Sequence, residues 1–101
     1  MQGANAGTQR LTTDGVVGTS GSPTRVFFAE LLSAGGGTGN CELKNGTSTS
    51  GTAFSEINGT AASKTDSRFY GNDGMYFPAG CWVSFMANAT SVLVAFKQEV
   101  L

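Results

Sequence analysis

Gly71–Lys97, GNDGMYFPAGCWVSFMANATSVLVAFK, is the densest apolar stretch of the chain, and its reading decides the fold. Cys81, Val83 and Phe85 alternate with Trp82, Ser84 and Met86, and Val92, Val94 and Phe96 alternate with Leu93 and Ala95. A period of two sends successive side chains to opposite faces of a strand, so the stretch predicts strands over 81–87 and 91–97 joined by a polar turn at Asn88-Ala89-Thr90. Their inward set, Cys81, Val83, Phe85, Val92, Val94 and Phe96, is the expected core. Cys41, Leu43 and one face of a strand over Val26 to Leu32 are expected to oppose it.

Outward from this stretch, short strands alternate with turn signals. Ser63–Tyr70 reads as a polar-to-aromatic strand ending in Phe69-Tyr70, and Gly71-Asn72-Asp73-Gly74 turns the chain after it. Thr52–Ile57 is a weaker strand that stops at Asn58-Gly59, and Cys41–Lys44 alternates cleanly before Asn45-Gly46, the strongest short turn signal. The glycine-rich run from Ala34 to Asn40 has neither a helix after it nor a terminal Lys-Ser/Thr, so it reads as a loop and not as a phosphate cradle. In Arg25–Ser33, RVFFAELLS, helical spacing of Phe28, Leu31 and Leu32 competes with a strand. The short run between Pro23 and a glycine triplet, opened by Val-Phe-Phe, predicts a strand buried on both sides. Residues 1–22 are polar apart from Val16-Val17 and read as an N-terminal arm, flexible or bound to a partner through those two valines. The organisation is therefore an arm over 1–22 and an all-β domain over 23–101, a compact antiparallel β-sandwich or jelly roll.

Composition narrows the function classes. One hundred and one residues suit a single domain, and with 13% charged residues and 15 glycines the surface must be covered largely by Ser, Thr, Asn and Gly. Six basic against seven acidic residues, with no basic run, argue against nucleic acid as a partner. Histidine is absent, two cysteines cannot complete a tetrahedral metal site, and the acidic residues are spread one per element with no converging pair. The expectation is a protein that is not an enzyme and uses no metal or cofactor. The N-terminus lacks a basic segment followed by an apolar run, and no apolar run of about 18 residues occurs, so neither a secretion signal nor a membrane span is expected.

Three sets of residues remain. Cys41 and Cys81 both fall inward and could meet across the sandwich, as buried thiols or as a disulfide. The three Asn-x-Thr sequons at Asn45, Asn58 and Asn88 coincide with expected hairpin turns, which explains them without glycosylation. Val16, Val17, Tyr70, Tyr76, Trp82, Met86 and Leu93 form the candidate partner interface. Trp and Tyr favour interfaces, and side chains opposite the core face need a cover.

RVFFAELLSAGGGTGNCELKNGTSTSGT, followed by GMYFPAGCWVSFMANATSVLVAFK, resembles small virion structural proteins of tailed bacteriophages, particularly marine and cyanobacterial ones. The likeness lies in the order of Leu32–Gly35, Cys41–Gly46, Thr49–Thr52, Gly74–Gly80 and Val92–Val94, and spans about residues 24–97. It departs at Cys81 and Trp82, where Leu and Tyr are expected, and in the long polar N-terminus. The resemblance implies a β-sandwich decoration, knob-like or head-fibre protein on the particle surface, assembled in the host cytoplasm. Its partners would be the major capsid protein, other virion proteins or further copies of itself. The alternative is a tail or fibre module binding a host receptor or glycan, with Tyr70, Tyr76 or Trp82 as stacking platforms and Arg68 and Asp73 as polar partners.

Overall fold

In the computed structural model, which describes residues 4–99, the alternating stretches become strands with no helix between them. They are β1 (Ala4–Leu11), β2 (Gly15–Val16), β3 (Thr24–Ser33), β4 (Asn40–Asn45), β5 (Thr52–Asn58), β6 (Thr65–Phe69), β7 (Met75–Phe77), β8 (Cys81–Phe85) and β9 (Ala89–Glu99). Every pairing is antiparallel. A five-stranded sheet runs β1-β9-β3-β6, with β7 continuing the β6 edge along β3, and a four-stranded sheet runs β2-β8-β4-β5. Apart from the β4–β5 hairpin and the β6–β7 edge, each connection carries the chain from one sheet to the other, which is jelly-roll topology. The expected all-β sandwich is the fold observed.

The core forms where the two inner faces meet. Val26, Ala29, Leu31, Val92 and Val94 of the five-stranded sheet and Cys41, Leu43, Cys81 and Val83 of the four-stranded sheet are closed to solvent, and Phe85 and Phe96 pack against them. The register of the Gly71–Lys97 stretch is the expected one. Its connectivity is not: β8 and β9 do not pair, because β8 lies between β2 and β4 and β9 between β1 and β3. The turn is a corner between sheets, held by Asn40, whose backbone N–H donates to Ala87 O at 3.1 Å and whose side-chain oxygen accepts from Ala87 N at 3.1 Å. Asn88 sits there at φ 55°, a left-handed conformation that Asn tolerates, and its carbonyl accepts from Ala34 N at 2.7 Å.

β3 departs from its expected burial on both sides. Its inward positions are Thr24 and Val26, then Ala29, Leu31 and Ser33, so the alternation slips by one residue at Phe27. The slip is a β-bulge against β9, between the Val26–Phe96 and Phe28–Ala95 pairs. Phe27 and Phe28 are only half-buried as a result.

Residues 4–22 are part of the sandwich, which corrects the boundary drawn after residue 22. β1 pairs with β9 along its whole length, β2 pairs with β8, and Val17 is closed off in the core with its N–H donating to Cys81 O at 2.9 Å. A polar segment reaches this state by backbone pairing, which asks nothing of side-chain hydropathy. The return to β3 is sealed by Gln98, whose Nε2 reaches Val17 O, Thr19 O and Thr24 Oγ1 and whose Oε1 accepts from Thr19 N. Gly18, at φ 66°, lies against that amide so closely that a Cβ would collide with it.

Candidate interaction surface

The outer face of the five-stranded sheet is built in cross-strand rows. Register sets Tyr76, Arg25, Lys97 and Ala6 in one row, Phe69, Phe28, Ala95 and Thr8 in the next, and Ser67, Glu30, Leu93 and Arg10 in the third. The bulge adds Phe27 to this face, where with Arg25, Asn72, Asp73 and Lys97 it lines an open cleft of about 450 Å³. Phe69 is 68% exposed and Tyr76 44%, so two aromatic side chains stand in water on one side of the molecule. The Arg25 guanidinium lies 4.6 Å from the Tyr76 ring centroid, a cation–π contact, and donates to the Asp73 carbonyl at 3.4 Å. Gly74, at φ 73°, lets the loop pass against the Phe27 ring, where a Cβ would sit 3.0 Å away.

The outer face of the four-stranded sheet has a different character. Val16, Trp82 and Lys44 form one row and Ser84, Glu42 and Glu56 the next. Lys44 pairs with Glu42 at 3.6 Å and donates to Thr49 O at 2.7 Å. Trp82 Nε1 and Ser84 Oγ are both buried without a hydrogen-bond partner, two orphaned polar atoms two residues apart on the same strand face.

The seven residues expected to form one partner interface are dispersed by this topology. Val17 is core and cannot anchor a partner, and Val16 and Trp82 share the outer face of the four-stranded sheet. Tyr76 and Leu93 lie on the opposite side of the molecule, on the outer face of the five-stranded sheet. Tyr70 packs against the core with its hydroxyl 2.8 Å from Ser55 Oγ, and burial pushes its pKa up. Met86, 47% exposed, follows β8 at the corner. Tyr70, Tyr76 and Trp82 therefore offer no shared stacking platform. Arg68 is also remote from Asp73 in role: it donates to Glu56 O at 3.1 Å and bridges the β5 and β6 edges.

Cys41 and Cys81 are both buried and free. They do not face each other across the sandwich, since both belong to the four-stranded sheet. Cys41 stands opposite Phe85 and Cys81 opposite Asn45, four pairs apart along the β4–β8 ladder. At about 3.4 Å per residue that offset is well beyond the roughly 7 Å Cα limit for a disulfide. Burial pushes each thiol up to about 12. Among the described residues no three of His, Cys, Asp and Glu gather as metal ligands.

Sequence reasoning missed Phe28, Phe69, Arg25 and Lys97 as surface residues. The signal available was the Phe27-Phe28 doublet, which breaks the alternation of a half-buried strand and marks a bulge.

No protein-family model and no curated protein matches the chain. Among solved structures it is similar to one from Bacillus endospore appendages, described as a novel family of disulfide-linked pili. That likeness has a TM-score of 0.53 and 11% identity, covering 100% of this chain and 92% of that one. It is also similar to the coat protein of tobacco streak virus, with a TM-score of 0.43 and 7% identity over 96% of this chain and 86% of that one. At 11% identity the likeness to the appendage structure is one of fold.

Proposed function

We propose that the chain is a non-enzymatic structural subunit of a multi-copy particle, a capsid decoration or knob-like accessory protein of a tailed bacteriophage that docks on the major capsid lattice. The observation that carries the reading is the outer face of the five-stranded sheet. Phe69, Phe28, Tyr76 and Leu93 form an aromatic and aliphatic field on a rigid sheet, the kind of surface that a partner covers. The phage assignment comes from the order of motifs along residues 24–97, and the full-length fold likeness to an assembled appendage supports a subunit role. The appendages are named for disulfide links; here both cysteines are buried, so any assembly of this chain would be non-covalent through them.

Mass spectrometry of purified virions tests the reading, with a particle reconstruction to place the protein. Density over the capsid lattice is expected. Virions without the protein, or density confined to the tail, overturn the decoration role, and the second result favours the receptor-binding module.

A further inference from the structure

The chain contains two Asn-Gly dipeptides, and each begins at the last residue of a strand: Asn45-Gly46 at the end of β4 and Asn58-Gly59 at the end of β5. In an unfolded chain such a dipeptide is short-lived, because the glycine nitrogen, with no Cβ beside it, readily attacks the side-chain amide carbon of the preceding asparagine. At 59 the packing forces glycine, since a Cβ there would collide with Ser33 Oγ and lie 3.0 Å from Gly39 O. The fold therefore keeps these dipeptides and restrains them by hydrogen bonding. Gly46 N donates to Gly80 O at 2.9 Å and Gly59 N to Gly39 O at 2.7 Å, so neither nitrogen can lose its proton and attack until its strand end opens. The two asparagines are held differently. Asn45 is half-buried and its Oδ1 accepts from Ala79 N at 2.8 Å, so Ala79 and Gly80 of one loop hold both reacting groups. Asn58 is exposed, and its Nδ2 reaches only Glu56 Oε1, at 3.5 Å.

We propose that Asn58 is a site of spontaneous covalent modification, where the chain converts its own asparagine to aspartate and isoaspartate whenever the end of β5 opens. The Gly59 nitrogen gives its proton to hydroxide and bonds to Asn58 Cγ. The Cγ–Nδ2 bond breaks, the departing nitrogen takes a proton from water and leaves as ammonia, and a succinimide ring closes. Water then opens the ring. Attack at Cγ restores the ordinary backbone as aspartate, whereas attack at the Asn58 backbone carbonyl breaks its bond to the Gly59 nitrogen and routes the chain through Cγ as isoaspartate. Either product places a carboxylate beside Glu56 where an amide stood. Isoaspartate also adds a backbone atom ahead of the Gly59 nitrogen and draws it off Gly39 O. Both changes weaken the β4–β5 ladder at its Asn40–Asn58 end, so the product opens more readily than the starting chain and the conversion locks itself in. Asn45, held at both reacting groups, is the protected counterpart.

Peptide mapping of the purified full-length chain during incubation in mildly alkaline buffer tests the assignment, with an isoaspartyl methylation assay to count the rearranged product. In urea, where both dipeptides are free, Asn45 and Asn58 are expected to convert at similar rates. In the folded chain Asn58 converts about tenfold or more slowly than in urea, and Asn45 about tenfold more slowly again, the factor that one further hydrogen bond carries. Deuterium exchange at the Gly59 N–H should run ahead of that at the Gly46 N–H in a similar ratio. Asn58→Gln removes the site, because the longer side chain closes a less favourable ring, and leaves the Asn45 rate as it was. Conversion of Asn45 as fast as Asn58 in the folded chain overturns the proposal. So does an Asn58 rate that is the same with and without urea, or an Asn58 that stays intact for about a hundred times its lifetime in urea. These readouts use isolated protein and stand apart from whether virions contain the chain.

Discussion

Gln98 Nε2 lies 2.8 Å from Thr24 Oγ1, and both residues are closed to solvent. This one amide joins β9 to β3 and, through Val17 O, Thr19 O and Thr19 N, to the chain leaving β2. Replacing it with Leu keeps the volume and strands those partners in a dry site. At about 1–3 kcal/mol for each buried group left unsatisfied, Gln98→Leu is expected to lower stability by about 2–4 kcal/mol, read from urea unfolding.

Val17 separates an arm from a core element. Val17→Asp buries a carboxylate with no counterion and is expected to abolish the cooperative melt, and a chain lacking residues 1–18 should fail in the same way. A truncated chain that melts like the full one would return these residues to the status of an appendage.

The two thiols predict an alkaline limit. Each has its pKa raised by burial, from 9.0 to about 12, so the folded state holds its protons where the unfolded state releases them. Their contribution to stability is whole below pH 9 and falls away as pH rises from 9 towards 12, with Tyr70 acting in the same sense. Melting temperature should decline over that window, and the decline should flatten in a Cys41→Ala, Cys81→Ala variant. Intact mass should be the same with and without reductant, and both thiols should resist alkylation until the protein is denatured.

Val94 and Phe69 make a matched contrast within the five-stranded sheet. Val94→Asp is expected to unfold the domain, because the position is sealed against the core. Phe69→Ser removes a larger side chain yet should shift stability by no more than about 0.5 kcal/mol, since 68% of it already lies in water. Its effect should appear instead as weaker partner binding, measured by sedimentation or particle occupancy.

The two-residue period was legible wherever one face of a strand met the core. Cys41, Leu43, Cys81, Val83, Val92 and Val94 stand where alternation puts them. Illegible were the elements that side-chain pattern does not encode. β1 and β2 are held by backbone pairing and carry polar sequence, so their hydropathy resembled that of a tail. The corner at Asn88 has the composition of a hairpin turn, and what distinguishes it from one, the hydrogen bonds with Asn40 and Ala34 and the placing of β8 and β9 in different sheets, is tertiary. The same ambiguity grouped Trp82 with Leu93: both oppose the core, and alternation alone does not say that they do so from different sheets.

The bulge at Phe27 divides β3 into an even-numbered and an odd-numbered half, since 24 and 26 face inward before it and 29, 31 and 33 after it. The strand therefore carries, at Phe27, one residue more than a uniform alternation needs. Deleting Phe27 alone would leave Thr24, Val26, Ala29, Leu31 and Ser33 inward in unbroken alternation, with Arg25 and Glu30 still outward, and would remove the bend and the Phe27 ring that lines the cleft. One amino acid here acts as punctuation: it bends the strand without changing which side chains the core receives.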